Sequence, residues 1–114
     1  MALHFALYRI FVIMKIAGLT DVEITQIQTV LAKIPKLERA VIFGSRTTGK
    51  HKPNSDVDMA LYGEEVAFGS IFDIEEALYE LGFEPELDIL LVSIIQDPRL
   101  KAAIDRTAVE VFSV

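Results

Sequence analysis

Cysteine is absent from the 114 residues. That excludes a disulfide-stapled scaffold and any zinc site built on thiolates, and it fits a reducing compartment, so cytoplasm is the expected location. A basic excess is missing too: 17 acidic residues against 11 basic ones give a formal net charge of −6. Such a chain has no broad positive surface with which to release counterions from DNA or RNA or to hold an anionic membrane, and no direct nucleic-acid binding is expected. Internal repeats, low-complexity tracts and linkers are lacking. Residues 1–14 are apolar apart from His4 and Arg9, yet they fall short of the ~20 residues a membrane span needs, and they lack the charged start and cleavage site of a signal peptide. They read as an apolar extension to a single domain over 15–114, which is too short to include a separate substrate domain. An acceptor substrate would then dock from outside.

Apolar residues, by contrast, are abundant. They make up 52% of the chain, with a mean hydropathy of +0.39, more than one small core hides easily, which points to a protein partner or self-association. Thr20 with Glu23 has the spacing of a capping box, and Ile24, Ile27 and Leu31 follow at helical intervals, so a helix is expected from about Asp21 to Lys33, before Pro35. The uninterrupted run Ala40-Val41-Ile42-Phe43 reads as a strand buried on both faces. A second strand is expected over Asp56 to Tyr62 and a third over Glu86 to Val92. Ser70 with Asp73 resembles a helix start for a stripe of Ile71, Ile74, Leu78 and Leu81 that stops at Gly82. Asp97-Pro98 opens a last helix, and Val109, Val111 and Phe112 fit either a terminal strand or a helix tail.

The chemistry concentrates in residues 44–58, Gly-Ser-Arg-Thr-Thr-Gly-Lys-His-Lys-Pro-Asn-Ser-Asp-Val-Asp. In a strand, residues two apart share a face, so Asp56 and Asp58 present two carboxylates together while Val57 turns to the core. Paired carboxylates repel unless a cation lies between them, and all-oxygen donors suit Mg²⁺ or Mn²⁺. Asp88, near the start of the third strand, is the best third acid, with Glu86 sharing its parity. Three acids could hold two metals for in-line displacement at phosphorus, and Asp88 could also take the proton. Gly44 lets backbone approach a phosphate without a β-carbon in the way, and Ser45 adds a hydroxyl and an amide. Arg46, Lys50 and Lys52 would bring positive charge to the same mouth. Taken singly, each feature has an ordinary reading: a solvated strand start, a turn, a charged loop with His51 on the surface.

Their order and spacing are specific. Gly44-Ser45, ten residues, then Asp56-Val57-Asp58 resembles the signature of the DNA polymerase β-like nucleotidyltransferase superfamily, and Phe-Gly-Ser-Arg with Ser-Asp-Val-Asp is most similar to its minimal nucleotidyltransferases. That resemblance covers about 20–112. It implies an α/β (α+β) fold, a small mixed sheet flanked by helices. It also implies transfer of a nucleoside monophosphate, AMP from ATP, with Asp56, Asp58 and Asp88 as catalytic ligands of two Mg²⁺ ions. Gly44, Ser45, Arg46 and Lys50 would contact the triphosphate. Many such proteins are antitoxins that add AMP to a tyrosine of an all-helical HEPN toxin, which would supply the missing acceptor. The family often has a second basic residue in Gly-Ser-Arg-x-Arg-Gly, whereas Thr48 stands here. A P-loop is nearly spelled by Gly44, Gly49 and Lys50, but His51 stands where Mg²⁺ coordination needs Ser or Thr. The remaining rival is a catalytically silent nucleotide-binding module that neutralises its partner by binding alone.

Overall fold

A computed structural model describes residues 16, 18–50, 52 and 55–114. The expected extension over residues 1–14, and His51, lie outside the described residues. Helix α1 (Asp21–Leu31) starts as its sequence dictates: the Glu23 amide donates to Thr20 Oγ1 at 3.1 Å and the Thr20 amide to Glu23 Oε1 at 2.9 Å. It ends two residues before the expected Lys33, because the amides of Lys33 and Ile34 bond three residues back, to Val30 and Leu31, in a tighter turn ahead of Pro35. Strand β1 (Arg39–Phe43), helix α2 (Ser45–Thr48) and strand β2 (Val57–Tyr62) follow. Helix α3 (Gly69–Glu80) leads through β3 (Leu87–Leu91) and a 3₁₀ turn (Val92–Ile94) to α4 (Pro98–Thr107) and β4 (Val109–Ser113).

The order is β3-β2-β1-β4, with β1 antiparallel to both β2 and β4 and β2 parallel to β3. The fold is therefore a four-stranded mixed sheet carrying α1 and α3 on one face and α4 on the other. Ala40, Val41 and Ile42 are all fully buried, as an apolar run without alternation requires. Ala40, Ile42, Val57, Met59 and Leu61 pack with Ile24, Ile27, Leu31, Ile74 and Leu78. Val41 and Ala60 meet Ile104 of α4 on the opposite face. The C-terminal segment, which left strand and helix open, is a strand because it completes the free edge of β1.

Two details of α3 depart from sequence expectation or extend it. Ser70 does not cap the helix: it lies buried in the first turn, and the amides of Ser70 and Ile71 bond instead to the carbonyls of Ala67 and Phe68. A preceding backbone turn thus supplies the acceptors a side-chain cap would give. The far end is a Schellman motif, with the Phe83 amide on the Leu78 carbonyl, the Gly82 amide on that of Tyr79, and Gly82 at φ 81°. Phe68, Phe72 and Tyr79, respectively 69, 64 and 82% exposed, fall within about 40° of arc, about 120° round the helix from the Ile74–Leu78 stripe at the helical pitch. Glu75 and Glu76 flank them.

Gly63 ends β2 at φ 146°, and a β-carbon there would sit 2.6 Å from the Lys36 carbonyl oxygen and 2.8 Å from Val66 Cγ2. Backbone cannot yield as a flexible side chain does, so Gly63→Ala is expected to cost roughly 2–4 kcal/mol of stability. A fall in the urea midpoint measures it. Among the described residues no helix is long and apolar enough to cross a membrane.

Candidate active site

The site forms where β1 gives way to α2. Phe43 pairs with Asp58 across the antiparallel ladder, and Asp58 pairs with Asp88 across the parallel one. Two carboxylates 30 positions apart in sequence are thereby set side by side on adjacent strands. Asp56 precedes β2 at the same end, while Val57 between them is fully buried, as its parity required. Gly44 turns the chain at φ 82° and ψ −144°, a conformation open essentially to glycine alone. A β-carbon on it would lie 2.8 Å from Asp58 Oδ2. The glycine backbone and the central carboxylate are thus in direct apposition.

Burial pushes the Asp58 carboxyl above its ordinary range, and the neighbouring charges of Asp88 and then Asp56 push it further. The sign follows from linkage. The native state holds the proton more tightly than the unfolded chain, so the contribution of Asp58 to stability is greatest at low pH and is lost as pH rises through its folded-state value. At neutral pH its charge opposes folding. Asp58→Asn is therefore expected to melt at a higher temperature than the native protein at pH 7, with the gain shrinking on acidification and vanishing only below the unfolded-state value of about 4. Melting curves across that range test it.

The donor set is oxygen only, which fits Mg²⁺ or Mn²⁺ in kind. Among the described residues no three Asp, Glu or His side chains converge closely enough to hold one ion. What fits a cation is the register of Asp58 with Asp88, together with an Asp58 carboxyl raised first by burial and then by the charges of Asp88 and Asp56, since a bound positive charge favours the ionised form and offsets the repulsion.

The surrounding loop is held from several sides. The Thr47 amide and hydroxyl donate to the Gly44 carbonyl at 3.1 and 2.9 Å, and the Lys50 amide reaches back to the Ser45 carbonyl at 3.2 Å. Thr48 bonds to the carbonyls of Gly44 and Ser45 through its hydroxyl, so it supports its own turn and adds no charge. Ser45 is half-buried, and Lys50 and Lys52 are exposed at the loop. Arg46, expected at the phosphate mouth, is only 3% exposed and donates from Nη2 to the Ser55 carbonyl at 2.7 Å. It spans the loop to the residue before Asp56. Sequence reasoning also passed over Thr107, whose Oγ1 accepts from the Gly44 amide at 3.0 Å. A single threonine at a helix end gives no sequence signal of that contact.

A mixed sheet that sets acids from parallel neighbours against a glycine turn is the nucleotidyltransferase form of the polymerase palm. The chain belongs to the polymerase beta nucleotidyltransferase family, whose model matches residues 25–114. It is similar in structure to a chain of a toxin–antitoxin complex determined with AMP-PNP, with TM-score 0.66 and 19% identity over 80% of this chain and 73% of that one. A chain of a variant MntA–HpeT toxin–antitoxin complex gives TM-score 0.65 and 17% identity over 80% and 73%. One from a complex of tri-AMPylated Shewanella oneidensis HEPN toxin with MNT antitoxin gives 0.60 and 17% over 82% and 71%. At these identities the likeness is one of fold. No curated protein sequence matches the chain.

Proposed function

We propose that this chain transfers AMP from ATP to a hydroxyl, a tyrosine of a helical HEPN-type partner, and so acts as an antitoxin in the cytoplasm. The observation that carries the reading is the register of Asp58 with Asp88 against the Gly44 turn. A pure binding module has no need of carboxylates that repel one another. AMP-PNP in one structural neighbour and an AMPylated toxin in another support the choice of nucleotide and acceptor.

Asp56, Asp58 and Asp88 are the residues that would hold Mg²⁺, which when bound neutralises triphosphate charge and polarises the attacking hydroxyl. Gly44 offers a close approach free of a β-carbon, Ser45 a hydroxyl and an amide, and Lys50 a mobile positive charge for the triphosphate. Arg46 acts from inside the fold, holding Ser55 and with it the approach to Asp56. In the transfer the acceptor oxygen bonds to the α-phosphorus, the α–β anhydride bond breaks, pyrophosphate leaves, and the hydroxyl proton passes to Asp88.

The exposed stripe of Phe68, Phe72 and Tyr79 supports a protein partner. It lies on α3, in the helix layer across the sheet from the face that carries α4. The test is incubation with ATP, Mg²⁺ and the helical protein encoded beside this chain, followed by intact-mass measurement. The partner is expected to gain the mass of one or more AMP groups. No gain, from a chain that nonetheless neutralises the partner, would favour the silent binding module.

A further inference from the structure

The antiparallel ladder between β1 and β4 runs to the pair Ile42–Val109. Two residues beyond, Gly44 and Thr107 stand opposite one another, but Thr107 is still the last residue of α4. Its backbone is helical and does not continue the ladder. Its side chain does: Oγ1 donates to the Ala103 carbonyl at 2.9 Å and accepts from the Gly44 amide at 3.0 Å. A hydroxyl carries one proton, so the bond to Ala103 fixes the direction of the bond from Gly44. The peptide plane leading into Gly44 is thereby tied to α4, which is itself anchored by fully buried Ile104 against Val41 and Ala60.

We propose that Thr107 is a positioning residue for the nucleotide. It sets the orientation of the turn at Gly44 and Ser45, and through that turn the side of the backbone offered to the triphosphate. This rests on the nucleotide reading above. Gly44 is in a conformation with φ 82° and ψ −144°, and a β-carbon on it would lie 2.8 Å from Asp58 Oδ2. A rotation of its peptide would therefore disturb phosphate contacts and the central carboxylate together.

Thr107→Val keeps the shape and removes the acceptor, Thr107→Ser keeps the hydroxyl and loses a methyl, and Thr107→Ala is a second hydroxyl-free variant should valine not fold. Calorimetric titration with AMP-PNP and Mg²⁺ is paired with amide hydrogen exchange over residues 43–46 and with thermal melting. The hydroxyl-free variants are expected to bind AMP-PNP roughly five- to tenfold more weakly and to exchange the Gly44 amide faster, while serine returns affinity to within about twofold. Equal AMP-PNP affinity in the native and hydroxyl-free proteins, whatever their melting temperatures, overturns the positioning role and leaves Thr107 a structural tie. So does an equal loss in serine and valine. Failure of the native chain to bind AMP-PNP at all removes the nucleotide reading, and this inference falls with it.

Discussion

Asp58→Ala is expected to lower the rate of nucleotidyl transfer by roughly a thousandfold or more while leaving the fold intact. The magnitude follows from several kcal/mol of charge stabilisation at a metal-assisted phosphoryl centre, at about 1.4 kcal/mol for each factor of ten. The intact fold follows from the electrostatics: Asp58 is half-buried and raised by burial, by Asp88 and by Asp56, so removing its charge relieves repulsion. Loss of activity through unfolding would instead show as a lower melting temperature. Single-turnover rates and melting curves on the same preparation separate the two. A variant that melts at least as high as the native chain and transfers at the native rate would remove Asp58 from the chemistry.

Gly44→Ala is the second large effect, and it combines strain with displacement. A φ of 82° with ψ −144° is hostile to any side chain, and the new β-carbon would lie 2.8 Å from Asp58 Oδ2. The conformational part alone costs about 1–3 kcal/mol. Relief requires the carboxylate or the turn to move, and a displacement of about 1 Å in a positioned group can cost a hundredfold in rate. Gly44→Ala should therefore lose both stability and at least about a hundredfold in transfer. Gly49→Ala is the control: at φ 77° it meets nothing within 4 Å, so it should cost only about 1–2 kcal/mol of stability and little in rate. Equal rates for the two variants would contradict the close packing of Gly44 against Asp58.

Much of this arrangement was legible because it is local. Thr20 with Glu23, Asp97 with Pro98, and Gly82 after its apolar stripe each carry their own turn chemistry, and the structure realises all three. The uninterrupted run at 40–43 announced burial on both faces before any neighbour was known. Asp88 was singled out because it lies near the start of an apolar strand, and the structure pairs that position with Asp58 on the adjacent strand. What stayed hidden depends on partners distant in sequence. Arg46 reads as a cation for phosphate, but it is drawn inward by the Ser55 carbonyl nine residues on. Thr107 acquires its role only when α4 folds back to within 3.0 Å of a turn 63 residues earlier. Ser70 has the residue type of a cap, yet the turn before it already supplies the acceptors.

The central claim is that the α-phosphorus of ATP, and not the γ, ends on the partner protein. Parallel reactions with α-labelled and γ-labelled ATP, Mg²⁺, this chain and the helical partner decide it in one gel. Label is expected on the partner from the α-labelled nucleotide alone, and none when Asp58→Ala replaces the native chain. Label arriving from the γ position, or full neutralisation of the partner by both proteins with no label from either nucleotide, would contradict it.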